Sequence, residues 1–116
     1  MKIFHAKDGA EWRRWLERNH LLEQEVWLVF YRKGVKEPCV TFDEALDWAL
    51  CFGWIDSMIR KIDDHKYSRR FTPRRPGRVW SSSNIERVER LTKEGKMTER
   101  GMTLFQERTV DSVNRT

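Results

Sequence analysis

The chain has 116 residues, of which 23 are Lys or Arg and 18 are Asp or Glu, for a formal net charge of +5. Six Trp, six Phe and two Tyr supply enough apolar area for a core, which excludes a wholly disordered chain. The longest apolar run has six residues, far fewer than the roughly 20 that span a bilayer. We therefore predict a single domain over residues 1–108, no membrane span, and a polar, frayed tail at 109–116.

The N-terminal residues and the cysteines bear on the cellular compartment. The first eight residues contain no apolar segment of signal-peptide length. Cys39 and Cys51 are twelve positions apart and form no Cys-x-x-Cys pair. We expect two reduced thiols and a cytoplasmic protein.

Capping residues and apolar spacing predict three to four helices. The polar residues expected at their N-termini are Asp8, Thr41, Ser83 and Thr98. Gly53 and Gly95 stand where left-handed helix stops are common.

Three strands are predicted between these helices. Val26 to Tyr31 is apolar without alternation, which is typical of a central strand covered on both faces. Trp54 to Asp63 and Lys66 to Thr72 form a hairpin that turns at Asp63-Asp64-His65. The order of elements predicts an α+β fold, with a small antiparallel sheet of about three strands packed against the helices.

The positive charge lies mainly in one segment. Ser57 to Trp80 contains eight basic and two acidic residues, and the rest of the chain is close to neutral. Its arginines alternate with aromatic residues, and it leads into a helix N-terminus, a second place where anions bind. Three interpretations remain open: a solvated strand face whose arginines pair with nearby acids, a nucleic-acid surface, and a site for a small anionic ligand or substrate.

Common catalytic and metal signatures are absent from the sequence. There is no zinc-ligand spacing, phosphate loop, dinucleotide fingerprint or Gly-x-Ser-x-Gly elbow. Asp63-Asp64-His65 is explained more simply by turn chemistry than by a metal. We predict no cofactor and no metal, assign no catalytic residue, and keep an enzyme acting on an anionic substrate only as an alternative.

Four sequence blocks resemble one protein family. They are Cys51-Phe52-Gly53-Trp54-Ile55-Asp56, Arg70-Phe71-Thr72-Pro73-Arg74-Arg75, Trp80-Ser81 with Asn84, and Glu94-Gly95-Lys96-Met97-Thr98. Together they are similar to the YdeI/OmpD-associated (bacteriocin-protection) proteins over roughly residues 4–105.

The resemblance implies little about chemistry. The family is linked by name to tolerance of bacteriocins and cationic peptides, and it offers no established catalytic residues. The chain looks like a short form without the family's usual C-terminal helical segment rich in Lys and Arg.

Charge and motif positions together define a predicted anion site between the hairpin, the following loop and the third helix. The residues expected to bind the anion are Arg70, Thr72, Arg74, Trp80, Ser81 and Asn84. The supporting residues are Asp56, Arg60 and Arg87. Asp56 would orient an arginine from near the core, with Arg60, Arg70 or Arg87 as its partner, and a general-base role for it is the less favoured alternative.

Overall fold

A computed structural model of the chain describes residues 2–109. The elements of this range, in chain order, are β1 (Ile3–Phe4), α1 (Gly9–Asn19), β2 (Val26–Tyr31), α2 (Phe42–Cys51), β3 (Trp54–Lys61), β4 (Lys66–Pro73), α3 (Ser82–Lys93) and α4 (Glu99–Gln106). The predicted α+β class is confirmed. No helix within residues 2–109 is long and apolar enough to cross a membrane.

The sheet has four strands in the order β1-β2-β4-β3. β1 runs parallel to β2, whereas β4 is antiparallel to both β2 and β3. The expectation of about three antiparallel strands is thus corrected to four strands in a mixed sheet. The additional strand, β1, has only two residues, too few to show an alternating pattern in the sequence.

β2 lies inside the sheet, and its first five residues are buried, as its unbroken apolar run predicts. Helices α1 and α2 cover one face of the sheet. Trp12 of α1 packs edge-on against Phe71 of β4, with ring centroids 5.3 Å apart, and its indole N–H donates to the Ala45 carbonyl of α2 at 3.0 Å. These contacts join two helices and the sheet in one core.

Three of the expected helix caps are confirmed, since Asp8, Thr41 and Thr98 each accept a backbone N–H of the first turn. The third helix begins earlier than expected. The Oγ of Ser81 accepts the Asn84 N–H at 3.1 Å, so Ser81 is the cap and the helix starts at Ser82. In a run of three serines, spacing alone does not identify which one caps.

Helix α4 approaches the end of α2 very closely. The Thr98 N–H donates to the Cys51 carbonyl at 3.0 Å, and the Thr98 hydroxyl donates to the same oxygen. Gly101 lies against that carbonyl, and a Cβ at this position would overlap it. This contact places Phe105 of α4 against Trp80, with ring centroids 5.3 Å apart.

The hairpin and the C-terminal end of the described range complete the fold. The β3–β4 register shifts between Asp56 and Ile59, a bulge that interrupts the ladder. Residues 110–116 of the predicted tail lie outside the described residues, while Thr109 forms a parallel bridge with Val79. Cys39 and Cys51 are both free.

Candidate anion-binding site

The loop between β4 and α3 is held in place at both ends. The Arg74 N–H donates to the Gly53 carbonyl at 2.8 Å, which ties the start of the loop to the α2–β3 turn. The Thr109 N–H donates to the Arg78 carbonyl at 3.0 Å, which ties down its second half. Between them, Gly77 has φ +77°, a conformation that a residue with a side chain rarely adopts. The loop therefore has a defined shape.

A cavity of about 280 Å³ opens beside this loop. We call it the arginine pocket, and its lining residues are Ile55, Thr72, Pro73, Arg74, Arg75, Arg78 and Val79. Within residues 2–109, none of its three guanidinium groups has a carboxylate within 4 Å. Three positive charges thus surround one small space without a compensating acid from the described part of the chain.

Arg74 is the most firmly positioned of the three arginines. Its guanidinium carbon lies 4.0 Å from the centroid of the Trp80 ring, and Nη2 donates to the Val79 carbonyl at 3.3 Å. Trp80 is only 5% exposed and rests in turn on Phe105. A cation fixed on a buried aromatic ring loses little conformational entropy when an anion binds.

The electrostatics at Arg74 favour an added negative charge. Burial lowers the pKa of Arg74, and the neighbouring positive charge of Arg78 lowers it further. The Nε of Arg74 is buried and has no hydrogen-bond partner among residues 2–109. Because burial and like charge both disfavour the cation, an anion in the pocket would stabilise it.

The arginines of the hairpin have a different environment, since their partners are acids of this chain. Arg69 contacts Asp56 at 3.2 Å, and the Arg70 Nε contacts Glu25 at 2.9 Å. The hydrogen bond from Arg70 lowers the pKa of Glu25. Arg70 is thus held at Glu25 and is not among the residues lining the arginine pocket.

Two supporting residues have contacts other than those expected. The partner of Asp56 is Arg69, so the expectation of Arg60, Arg70 or Arg87 is corrected. Adjacent strand residues point to opposite sheet faces, and the sequence does not reveal which of Arg69 and Arg70 shares a face with Asp56. Arg60 lies over the Trp27 ring, with its guanidinium carbon 4.8 Å from the centroid.

No residue of α3 lines the arginine pocket. Arg87 binds Asp43 at 2.8 Å and Asp47 at 2.9 Å, both on α2. A cavity between α2 and α3 includes these two carboxylates and Ser83, so its charge does not favour an anion. The Ser81 hydroxyl caps the Asn84 N–H. Of the predicted site residues, Thr72 and Arg74 line the arginine pocket and Trp80 packs against Arg74 without lining it, while Ser81 and Asn84 are outside the lining.

The hairpin tip has the geometry of a turn. Asp63 accepts the backbone N–H groups of His65 at 2.7 Å and Lys66 at 3.1 Å, and the bond from His65 lowers the pKa of Asp63. No group of three or more His, Cys, Asp or Glu in the described range could hold a metal ion.

Sequence reasoning did not assign Arg75 and Arg78 to the site, although both line the pocket. A signal for them exists. No Asp or Glu occurs from position 65 to 85, so Arg75 and Arg78 are each at least eight positions from an acid in the sequence. Arg69 and Arg70 reach acids across the sheet, but the loop arginines have no strand beside them. Distance from acids would have selected the loop.

Fold and pocket together define a small α+β protein with an arginine-lined cavity at the β4–α3 loop. Residues 4–104 match the family described as a domain of unknown function (DUF8412), and the chain belongs to this family. No curated protein and no solved structure matches the chain.

Proposed function

We propose that the protein binds a small phosphate- or carboxylate-bearing ligand through the arginine pocket. The observation that carries the proposal is the group of three arginines, Arg74, Arg75 and Arg78, around one cavity without a carboxylate from residues 2–109. Guanidinium groups form paired, charge-assisted hydrogen bonds with phosphate and carboxylate oxygens. The Thr72 side chain adds a hydroxyl at the pocket wall.

The size of the pocket supports a compact anionic group. Its volume of about 280 Å³ falls just below the roughly 300–1,000 Å³ of cavities that enclose drug-sized ligands. Ile55 and Val79 add apolar residues to the lining. The ligand would therefore place its anionic group in the pocket and extend any further part along the exposed Val79 surface.

An extended nucleic-acid surface is the second interpretation, and the pairing of the hairpin arginines argues against it. Arg69 and Arg70 are held by Asp56 and Glu25, so the basic charge does not form one continuous track. Trp27, the ring beneath Arg60, is only 4% exposed and offers no open face for base stacking.

Calorimetric titration with inorganic phosphate, pyrophosphate and citrate tests the proposal. We expect saturable binding of at least one of these anions. Arg74→Gln and Arg78→Gln should each weaken it about tenfold or more, because each removes a charged hydrogen-bond donor. The matched control is Arg14→Gln, which removes the same charge from an exposed position on α1. Equal affinity in Arg78→Gln and Arg14→Gln, or no saturable binding of any probe, would contradict the proposal.

The same variants separate a small ligand from a polyanion. The affinity for a single-stranded oligonucleotide would fall steeply with salt, in proportion to the phosphates contacted. If an oligonucleotide binds more tightly than pyrophosphate and Arg69→Gln weakens it as much as Arg74→Gln, the nucleic-acid interpretation replaces ours.

The family resemblance and the location remain predictions. The role in peptide tolerance suggested by the YdeI/OmpD-associated resemblance requires a comparison of strains with and without the gene during exposure to a cationic peptide. A cytoplasmic location is likewise the expectation drawn from the N-terminal sequence and the cysteines.

A further inference from the structure

A second cavity lies at the end of the sheet where four parts of the fold meet. We call it the sheet-end cavity. It has a volume of about 300 Å³. Its lining includes His20, Leu21 and Glu23 from the α1–β2 loop, Phe52 from the α2–β3 turn, Pro73 from β4 and Arg100 from α4. An adjoining cavity of about 410 Å³ shares His20, Leu21 and Arg100 with it. Cavities at such convergences are where small ligands commonly bind.

His20 presents a hydrogen-bond acceptor at this cavity. Its Nδ1 lies 2.8 Å from the Leu16 carbonyl oxygen, and a carbonyl only accepts, so Nδ1 carries the proton. In the neutral ring, Nε2 is then an acceptor, and it has no partner among residues 2–109. The ring packs edge-on against Phe52, with centroids 5.0 Å apart, and the His20 carbonyl accepts the Trp54 indole N–H at 3.2 Å. The acceptor is therefore held by both its ring and its backbone.

Opposite charges line the same cavity. Arg100 has no carboxylate within 4 Å among the described residues. Glu23 binds Lys2 through Oε1, and its other carboxylate oxygen has no partner among residues 2–109. Arg100 and Glu23 thus line the same cavity as His20.

The apolar part of the lining is exposed at one side. Leu21 is 71% exposed, although it directly follows the end of a packed helix. Phe52 is buried at 5% exposure and contributes wall together with Pro73. An apolar group bound there would remove Leu21 from water, which is favourable in proportion to the area covered.

From these four features we propose that the sheet-end cavity binds a free α-amino acid with an apolar side chain. Arg100 binds the carboxylate, His20 Nε2 and Glu23 accept from the ammonium group, and the side chain packs on Leu21 and Phe52. An amino acid has these three parts in one small molecule. The sheet-end cavity adjoins the arginine pocket at Pro73, which lines both, but the proposal uses other side chains and does not depend on the function proposed for that pocket.

NMR titration of the full chain with L-leucine tests the proposal. We expect saturable shifts of the Trp54 indole N–H and of His20 Nε2, the latter moving as its lone pair gains a donor. L-leucine amide, which lacks the carboxylate, and 4-methylpentanoate, which lacks the ammonium group, should each bind about tenfold or more weakly.

Variants distinguish this site from the arginine pocket. Arg100→Gln should weaken L-leucine about tenfold or more, whereas Arg18→Gln, an exposed arginine near the end of α1, should leave the affinity unchanged. Arg74→Gln should leave L-leucine binding intact even if it abolishes phosphate binding. Absence of saturable binding, equal binding of 4-methylpentanoate, or no effect of Arg100→Gln would overturn the proposal.

Discussion

The hairpin β3–β4 and the loop that follows it have similar basic sequences and opposite electrostatic outcomes. In the hairpin, Arg69 and Arg70 are each bound to a carboxylate. In the loop, Arg74, Arg75 and Arg78 share a cavity without a carboxylate from residues 2–109. A run of arginines is therefore not a single feature. Strand pairing brings acids to the hairpin arginines Arg69 and Arg70, whereas the loop arginines have no such partners among residues 2–109.

Each region also places an arginine over a tryptophan. Arg60 lies over Trp27 in the sheet, and Arg74 lies over Trp80 in the loop. Both rings are buried, so neither is free to stack on a ligand. The Trp80 ring differs from the Trp27 ring because its arginine, Arg74, lines a cavity. The Trp80 ring therefore supports Arg74 at the pocket.

The largest expected effect follows from removing the Trp80 ring. Trp80→Ala should lower the free energy of unfolding by about 3–5 kcal/mol, since it removes a buried aromatic ring from contact with Phe105. It should also abolish anion binding, because Arg74 loses its support. Urea unfolding and phosphate titration measure the two effects. Trp27→Ala should lower the free energy of unfolding by a similar amount, but the folded variant should still bind the anion. Loss of anion binding in both variants would contradict the assignment of binding to the loop.

An intermediate effect separates the paired arginines from the unpaired ones. Arg69→Gln leaves the partly buried Asp56 without its partner, so it should lower the free energy of unfolding by about 1–3 kcal/mol. Its affinity for phosphate should match that of the wild type. Arg74→Gln should do the reverse, changing stability by less than about 1 kcal/mol while weakening phosphate binding. A large loss of stability in Arg74→Gln would mean that its stacking on Trp80, and not ligand binding, explains its position.

The smallest expected effect is on the loss of stability at low pH. The hydrogen bond from Arg70 lowers the pKa of Glu25 in the folded chain below that in the unfolded chain, which is about 4.3. The Arg70–Glu25 pair therefore stabilises the folded chain at pH values above the unfolded-state pKa of Glu25. This stabilisation is lost as the pH falls through the lower pKa that Glu25 has in the folded chain. Arg70→Gln should reduce the loss of stability seen in urea unfolding between about pH 7 and about pH 3. Arg75→Gln, which removes the same charge from the loop, should keep the wild-type acid dependence, and an equal change in both variants would contradict this assignment.

Most of the fold follows from local signals in the sequence. The caps at Asp8, Thr41 and Thr98, the stop at Gly53 and the unbroken apolar run of β2 each act within a few residues, and the structure confirms them. The two-residue strand β1 was missed because its pairing with β2 is a contact between distant parts of the chain.

The site was predicted only in part, for a related reason. Charge identified the segment, and charge together with the motif positions selected Arg74 and Thr72, which line the pocket. They also selected Arg70, whose acid, Glu25, lies 45 positions away and is adjacent only after β2 and β4 pair. Whether Arg70 is paired therefore depends on strand register, which distance from acids along the sequence does not give.

The contact of Gly101 with the Cys51 carbonyl has a consequence for how this family can vary. Gly101 does not line the arginine pocket and is not part of the loop, yet α4 can bring Phe105 against Trp80 only while no side chain intervenes at that contact. Relatives that exchange the pocket arginines for other ligand-binding residues should still retain this glycine. The specificity of the pocket can then diverge through evolution while the packing of α4 that supports Trp80 stays the same.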